Sequence, residues 1–79
     1  MTIMWTIYKN LRGNSGISAY ETGYDFIRVK FSSGAVYRYN HDSTGVDDIE
    51  QMKIFAASGE GLGTFINKNV RKRFAAKES

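Results

Sequence analysis

Apolar and polar residues alternate with a period of two over the first half of the chain, the spacing of strands whose side chains point to opposite faces. Ile3, Trp5 and Ile7 alternate with Met4, Thr6 and Tyr8, which predicts a strand or an extended arm. Arg12, Gly13, Asn14, Ser15 and Gly16 form a turn cluster. Residues 17–21 read as a short strand that breaks at Thr22 and Gly23. The clearest strand covers residues 24–32, where Ile27, Val29 and Phe31 alternate with Arg28, Lys30 and Ser32. Ser33 and Gly34 then turn the chain, and residues 35–40 return as the second half of a β-hairpin.

Loop length leaves two registers open for that hairpin. A two-residue loop at Ser33 and Gly34 pairs Arg28 with Tyr39 and Lys30 with Tyr37, an exposed basic–aromatic platform suited to stacking bases. A three-residue loop, Ser32 to Gly34, shifts the pairing by one and flips every side chain. Ile27 then faces Tyr39 and Val29 faces Tyr37, so both tyrosines enter the core and Arg28, Lys30 and Arg38 gather outside. The second arrangement has the advantage of not burying Arg38. Arg28 and Lys30 point outward in both.

Past the hairpin the period changes to about 3.6, the spacing of an amphipathic helix. Thr44, Gly45, Val46 and Asp47 have capping-box spacing, and Asp47, Asp48 and Glu50 place negative charge in a first helical turn. Val46, Ile49, Met52 and Ala56 form one apolar stripe, and the run from Ser58 to Gly61 stops that helix. Leu62, Phe65, Ile66, Val70 and Phe74 form the stripe of a second helix, with Lys68, Arg71 and Lys72 on its opposite side. The pattern predicts an α+β domain: a small antiparallel sheet of three to four strands followed by two C-terminal helices packed on one face.

Composition narrows the class. A chain of 79 residues without cysteine or proline makes one domain with a thin core, burying only about 60–65% of its unfolded surface. Zinc ribbons, iron–sulfur centres and disulfide-stapled modules are excluded by the missing cysteines. With 42% hydrophobic and 14% aromatic residues, the chain is too apolar to be disordered. No apolar run reaches the roughly 20 residues of a membrane span, and residues 1–8 lack the flanks of a signal peptide, so a cytoplasmic location is expected. The net charge is +3, yet residues 1–67 hold six basic side chains against seven acidic ones. All the excess positive charge therefore lies in the tail: Lys68, Arg71, Lys72, Arg73 and Lys77, opposed there only by Glu78. Such a cluster either complements a helix dipole or meets an anionic ligand such as phosphate.

Residues from about 15 to 70 resemble the KTSC domain, found at the C-terminus of some lysyl-tRNA synthetases and as stand-alone bacterial and phage proteins. The matching residues, in order, are Ser15, Gly16 and Ile17, then Gly23, Tyr24 and Asp25. Next come Ile27 through Phe31, Gly34, and the central Tyr37, Arg38 and Tyr39. Ala57, Ser58, Gly59, Gly61, Ile66, Asn67 and Lys68 complete the set. Where the family usually carries Val-Pro after its Tyr-x-Tyr motif, residues 40–46 contain no proline. The resemblance divides the chain into an N-terminal extended segment or extra strand, 1–14, and a KTSC-like domain, 15–79. The family has no established activity; its tRNA-synthetase setting implies RNA binding.

Catalytic chemistry finds little footing. His41 is the only histidine, and no motif sets a nucleophilic serine beside it. Asp42, Asp47, Asp48 and Glu50 match no EF-hand or zinc spacing and read as helix-start acids. Gly59, Glu60, Gly61, Leu62 and Gly63 precede a helix but lack the lysine of a phosphate loop, and Glu60 would repel an anion. No enzyme activity, cofactor or metal is expected. The expectation is a binding module for a phosphate-bearing ligand, RNA or another nucleic acid first and a nucleotide second. Its candidate residues are Arg28, Lys30, Arg38, Lys68, Arg71 and Lys72, with Trp5, Tyr8 or Tyr24 as stacking partners. The alternative is a phage-type interaction protein docking on a host protein complex, or a structural homodimer joined through residues 4–8.

Overall fold

A computed structural model describes residues 5–13 and 15–78. Ile3 and Met4, expected to open the first strand, lie outside them. Five antiparallel strands lie side by side in chain order: β1 (Thr6–Ile7), β2 (Ile17–Thr22), β3 (Phe26–Phe31), β4 (Val36–Asn40) and β5 (Ala76–Lys77). Between β4 and β5 run a single turn α1 (His41–Thr44), then α2 (Val46–Ser58), α3 (Leu62–Phe65) and a π-helical turn, Ile66–Val70. The fold is α+β, as the periodicity predicts. The sheet gains a fifth strand because the chain returns to it after the helices. Among the described residues no helix is long and apolar enough to cross a membrane.

The hairpin takes the three-residue loop. Ile27 pairs with Tyr39, Val29 with Tyr37 and Arg28 with Arg38. Ser32, Ser33 and Gly34 form the turn, closed by Phe31 N–H to the Ala35 carbonyl at 2.8 Å, with Gly34 at φ +96°, a conformation that favours glycine. Ile27, Val29 and Tyr39 therefore enter the core with Ile49, Met52, Ala56, Leu62, Ile66 and Val70 from the helical layer. Tyr37 is half-buried between Phe31 and Phe74, at centroid distances of 5.7 and 4.9 Å. A bulge in β2 between Ile17 and Ala19 flips the strand's faces, so Ile17 points in while Ala19 points out beside Lys30.

Tyr39 is 1% exposed, and burial pushes its phenol up to about 12, with the neighbouring Tyr37 adding to the rise. A raised acid holds its proton more tightly when folded, so its contribution is full below the unfolded value near pH 10 and is lost as pH climbs towards 12. The expected loss over that window is on the order of 2–3 kcal/mol. Urea unfolding at stepped pH should show the native chain losing that much more stability than a Tyr39→Phe variant. Parallel curves for the two would remove the effect.

Helix boundaries depart from the sequence expectation in three places. The capping box forms four residues early: the Asn40 side chain accepts from Ser43 N–H at 2.8 Å, and the Ser43 side chain accepts from Asn40 N–H at 3.2 Å. Thr44 instead is buried, and its hydroxyl donates to the Arg73 carbonyl. Val46 is 54% exposed because Gly45, at φ +100°, re-aims the chain between α1 and α2. The second helical segment ends at Val70, and Phe74 is reached through a turn closed by Arg73 N–H to the Val70 carbonyl at 2.7 Å. Phe74 still packs on Tyr37 and Tyr39, so it belongs to the apolar interior without being helical. The competing force is sheet pairing: Ala75 and Glu78 N–H groups bond the Arg38 and Val36 carbonyls.

The N-terminal segment joins the sheet. Thr6 pairs with Tyr20 and Ile7 with Ala19. Tyr8 turns inward, is 3% exposed, and its hydroxyl accepts the buried Leu62 N–H at 3.3 Å. Ile7 points the other way and is 75% exposed.

Candidate phosphate-binding surfaces

The six cations singled out from the sequence fall into two groups on different layers. Arg28, Lys30 and Arg38 share the outer face of the sheet, away from the helices. Arg28 and Arg38 sit directly opposite each other, an unfavourable like-charge pair that nearby carboxylates offset. Arg28 is held by Glu21 at 2.8 Å and Glu78 at 2.7 Å, and Glu78 lies 4.0 Å from Arg38. The Glu21 hydrogen bond, opposed by burial and reinforced by Glu78, raises the Arg28 guanidinium above its ordinary value. A phosphate arriving here would compete with two carboxylates.

Aromatic rings complete that face. The Arg28 guanidinium lies 4.8 Å and the Lys30 ammonium 5.8 Å from the Trp5 ring centre, while Arg38 covers Phe26 at 4.6 Å. Trp5 is thereby capped by cations of its own chain. Tyr8, expected as a possible stacking partner, is in the core, because strand alternation turns it to the helical side. Tyr24 is 91% exposed, beside His41 at 6.1 Å. The Tyr-x-Tyr residues, Tyr37 and Tyr39, are interior packing groups.

The second group lies on the helical layer. Lys68 belongs to the π-helical turn, and Arg71 and Lys72 follow it; all three are exposed. Among the described residues none of the three forms an ion pair. The rest of the basic tail is engaged: Arg73 bonds Asp48 at 2.6 Å, and Lys77 lies over Tyr37 at 5.9 Å. The excess charge noted in the sequence is thus reduced to a free triad.

Lys68 also borders a groove that the sequence pattern does not reveal. Arg12, Phe55, Gly61, Thr64, Phe65, Lys68 and Asn69 line a cleft of about 430 Å³. Phe55 from α2 and Phe65 from α3 pack at 5.5 Å with their planes tilted by 47°. Gly61, at φ +89°, keeps the cleft open: a Cβ there would press on the Phe55 ring at 3.0 Å. The Asn69 side chain donates to the Phe65 carbonyl at 3.2 Å at the start of the π-helical turn, and Lys68 of that turn stands on the rim. A smaller polar compartment of about 160 Å³ adjoins it, sharing Arg12, Gly61 and Thr64 and adding Asn10, Ser15, Glu60 and Asn67. Asn10 adopts a left-handed conformation, φ +54°, and its side-chain oxygen accepts from both the backbone and hydroxyl of Ser15. The glycine-rich stretch is the one signal near it, and by itself it reads better as a tight turn between two helices.

His41 and Glu50 are each other's partners. His41 faces Glu50 at 3.3 Å, and Glu50 also meets Lys53 at 3.1 Å. The Lys53 hydrogen bond, then that of His41, lowers the Glu50 carboxyl. Among the described residues no group of three or more His, Cys, Asp or Glu side chains is placed to hold a metal ion. No protein-family model matches the chain, and neither a curated protein nor a solved structure is similar to it.

Proposed function

We propose that this protein is a non-enzymatic, cytoplasmic binding module for a phosphate-bearing ligand, single-stranded RNA foremost. The observation that carries the reading is the exposed cation set Lys68, Arg71 and Lys72, of which Lys68 also lines a groove together with Arg12 and two phenylalanine rings. Unpaired cations supply the electrostatic part of nucleic-acid affinity, and aromatic rings supply the stacking part. The resemblance of residues 15–70 to the KTSC domain adds a translation setting to the same reading.

Fluorescence anisotropy with labelled single-stranded RNA and DNA oligomers at several salt concentrations tests it. Each neutralised phosphate contributes about −0.7 to the slope of log K against log salt for single strands. Changing Lys68, Arg71 and Lys72 together to glutamine should flatten the slope by about 2. The fold should be unaffected, because all three side chains are exposed. Arg28→Gln with Lys30→Gln should have a smaller effect, since Arg28 already carries two carboxylates. No binding at about 50 mM salt would reject the nucleic-acid reading. It would promote docking of the sheet edge at β1 on a protein partner, to which the exposed Ile7 would contribute.

A further inference from the structure

We infer that the groove between α2 and α3 is a single-nucleotide site, taking one base against Phe55 and Phe65 and its phosphate against Arg12 and Lys68. This rests on the phosphate-ligand reading and assigns its specific part to a cleft rather than to the open surface. The wider compartment, about 430 Å³, lies within the roughly 300–1,000 Å³ range of small-ligand clefts. Its lining combines what a nucleotide requires. Two half-buried aromatic rings, tilted to each other, offer an apolar contact of which one ring face can stack on a base. A guanidinium and an ammonium stand on its rim, neither buried.

Charge decides where each part goes. Glu60 lines the small compartment and lies 4.0 Å from Arg12, so an anion placed deep there would meet a carboxylate. The phosphate is therefore assigned to the Lys68 side of Arg12, where only the wider cleft extends. The small compartment, with Asn10, Ser15, Thr64 and Asn67, offers hydrogen-bonding groups to the polar edge of the base. Gly61 is the enabling residue, since any side chain there would be strained and would displace Phe55. The pairing of Arg12 with Glu60 is loose and exposed, so a phosphate can replace it at little cost.

Titration of the isotopically labelled full chain with AMP and GMP, followed by amide chemical shifts, tests the site. Adenosine and inorganic phosphate serve as the two partial ligands. Shifts should concentrate on Arg12, Gly61, Thr64, Lys68 and Asn69, and each partial ligand should bind at least about tenfold more weakly than AMP. Arg12→Gln should weaken AMP about tenfold, the value of one charge-assisted contact. Glu60→Gln should strengthen it. Thr64→Trp, at an exposed position, fills the cleft without touching the core and should abolish it. AMP binding unchanged in Thr64→Trp, or shifts confined to the sheet face, would overturn the inference. Oligomer anisotropy on the same variant separates the two readings. Native-like RNA affinity in Thr64→Trp rejects the cleft and keeps the RNA module. AMP binding without RNA binding keeps the cleft and rejects the polymer.

Discussion

Replacing Tyr39 with alanine is expected to unfold most of the protein. The ring is buried beneath β4, faces Ile27 across the strand pair and meets Phe74 edge-on at 6.4 Å. Truncating a large buried aromatic costs about 3–5 kcal/mol, because the loss of transfer energy is joined by a cavity. A domain of 79 residues holds roughly 4–12 kcal/mol in total, so the loss consumes much of its stability. The Tyr39→Ala variant should show a melting transition lowered by tens of degrees or absent by circular dichroism. A sharp transition at the native temperature would mean that the ring does not fill the interior. Tyr37→Ala should cost less, because that ring is only half-buried.

Removal of residues 1–13 is expected to be at least as damaging, although the described residues of the segment carry only a two-residue strand. The cost comes from Tyr8. Its ring is a member of the core, and its hydroxyl satisfies the Leu62 N–H at the start of α3. The deletion also leaves the Gly59 carbonyl without the Leu11 N–H, at 2.8 Å. Tyr8→Ala alone should cost about 3–5 kcal/mol. Tyr8→Phe keeps the ring and strands one buried donor, which costs about 1–3 kcal/mol. Urea denaturation of these variants should rank them in that order. A chain beginning at Asn14 that melts like the intact protein would show that the segment is dispensable.

What the sequence revealed follows the reach of each signal. Alternation located β2, β3 and β4, because a half-buried strand records its own orientation residue by residue. Keeping Arg38 out of the interior was enough to favour the hairpin register, since a one-residue slip exchanges the two faces. Phe74 misled the reading because it lies four residues after Val70, the helical interval, yet reaches the core through a turn. Tyr8 stood in an alternating run whose inward face cannot be told from its outward one by periodicity, since Trp5, Ile7 and Tyr8 are all apolar enough to be buried. The cleft was illegible for another reason. Arg12, Phe55 and Lys68 are far apart in the chain and share no local pattern; the turn at Gly59 to Gly61 brings Phe55 to Lys68, and the bond from Leu11 N–H to the Gly59 carbonyl brings Arg12 beside them.

The return of β5 to β4 has a kinetic consequence. Every other strand pairing joins neighbours along the chain across short connections, which assemble quickly at small entropic cost. The β4–β5 pairing instead spans the whole helical excursion, so closing the ladder from Tyr37 and Arg38 to Lys77 and Ala76 costs more loop entropy than any other pairing in the sheet. Among the described residues the ladder is two residue pairs long. The amide protons of Ala75 and Glu78 should accordingly exchange with deuterium far sooner than those of β3, at a rate set by local fraying rather than by global unfolding.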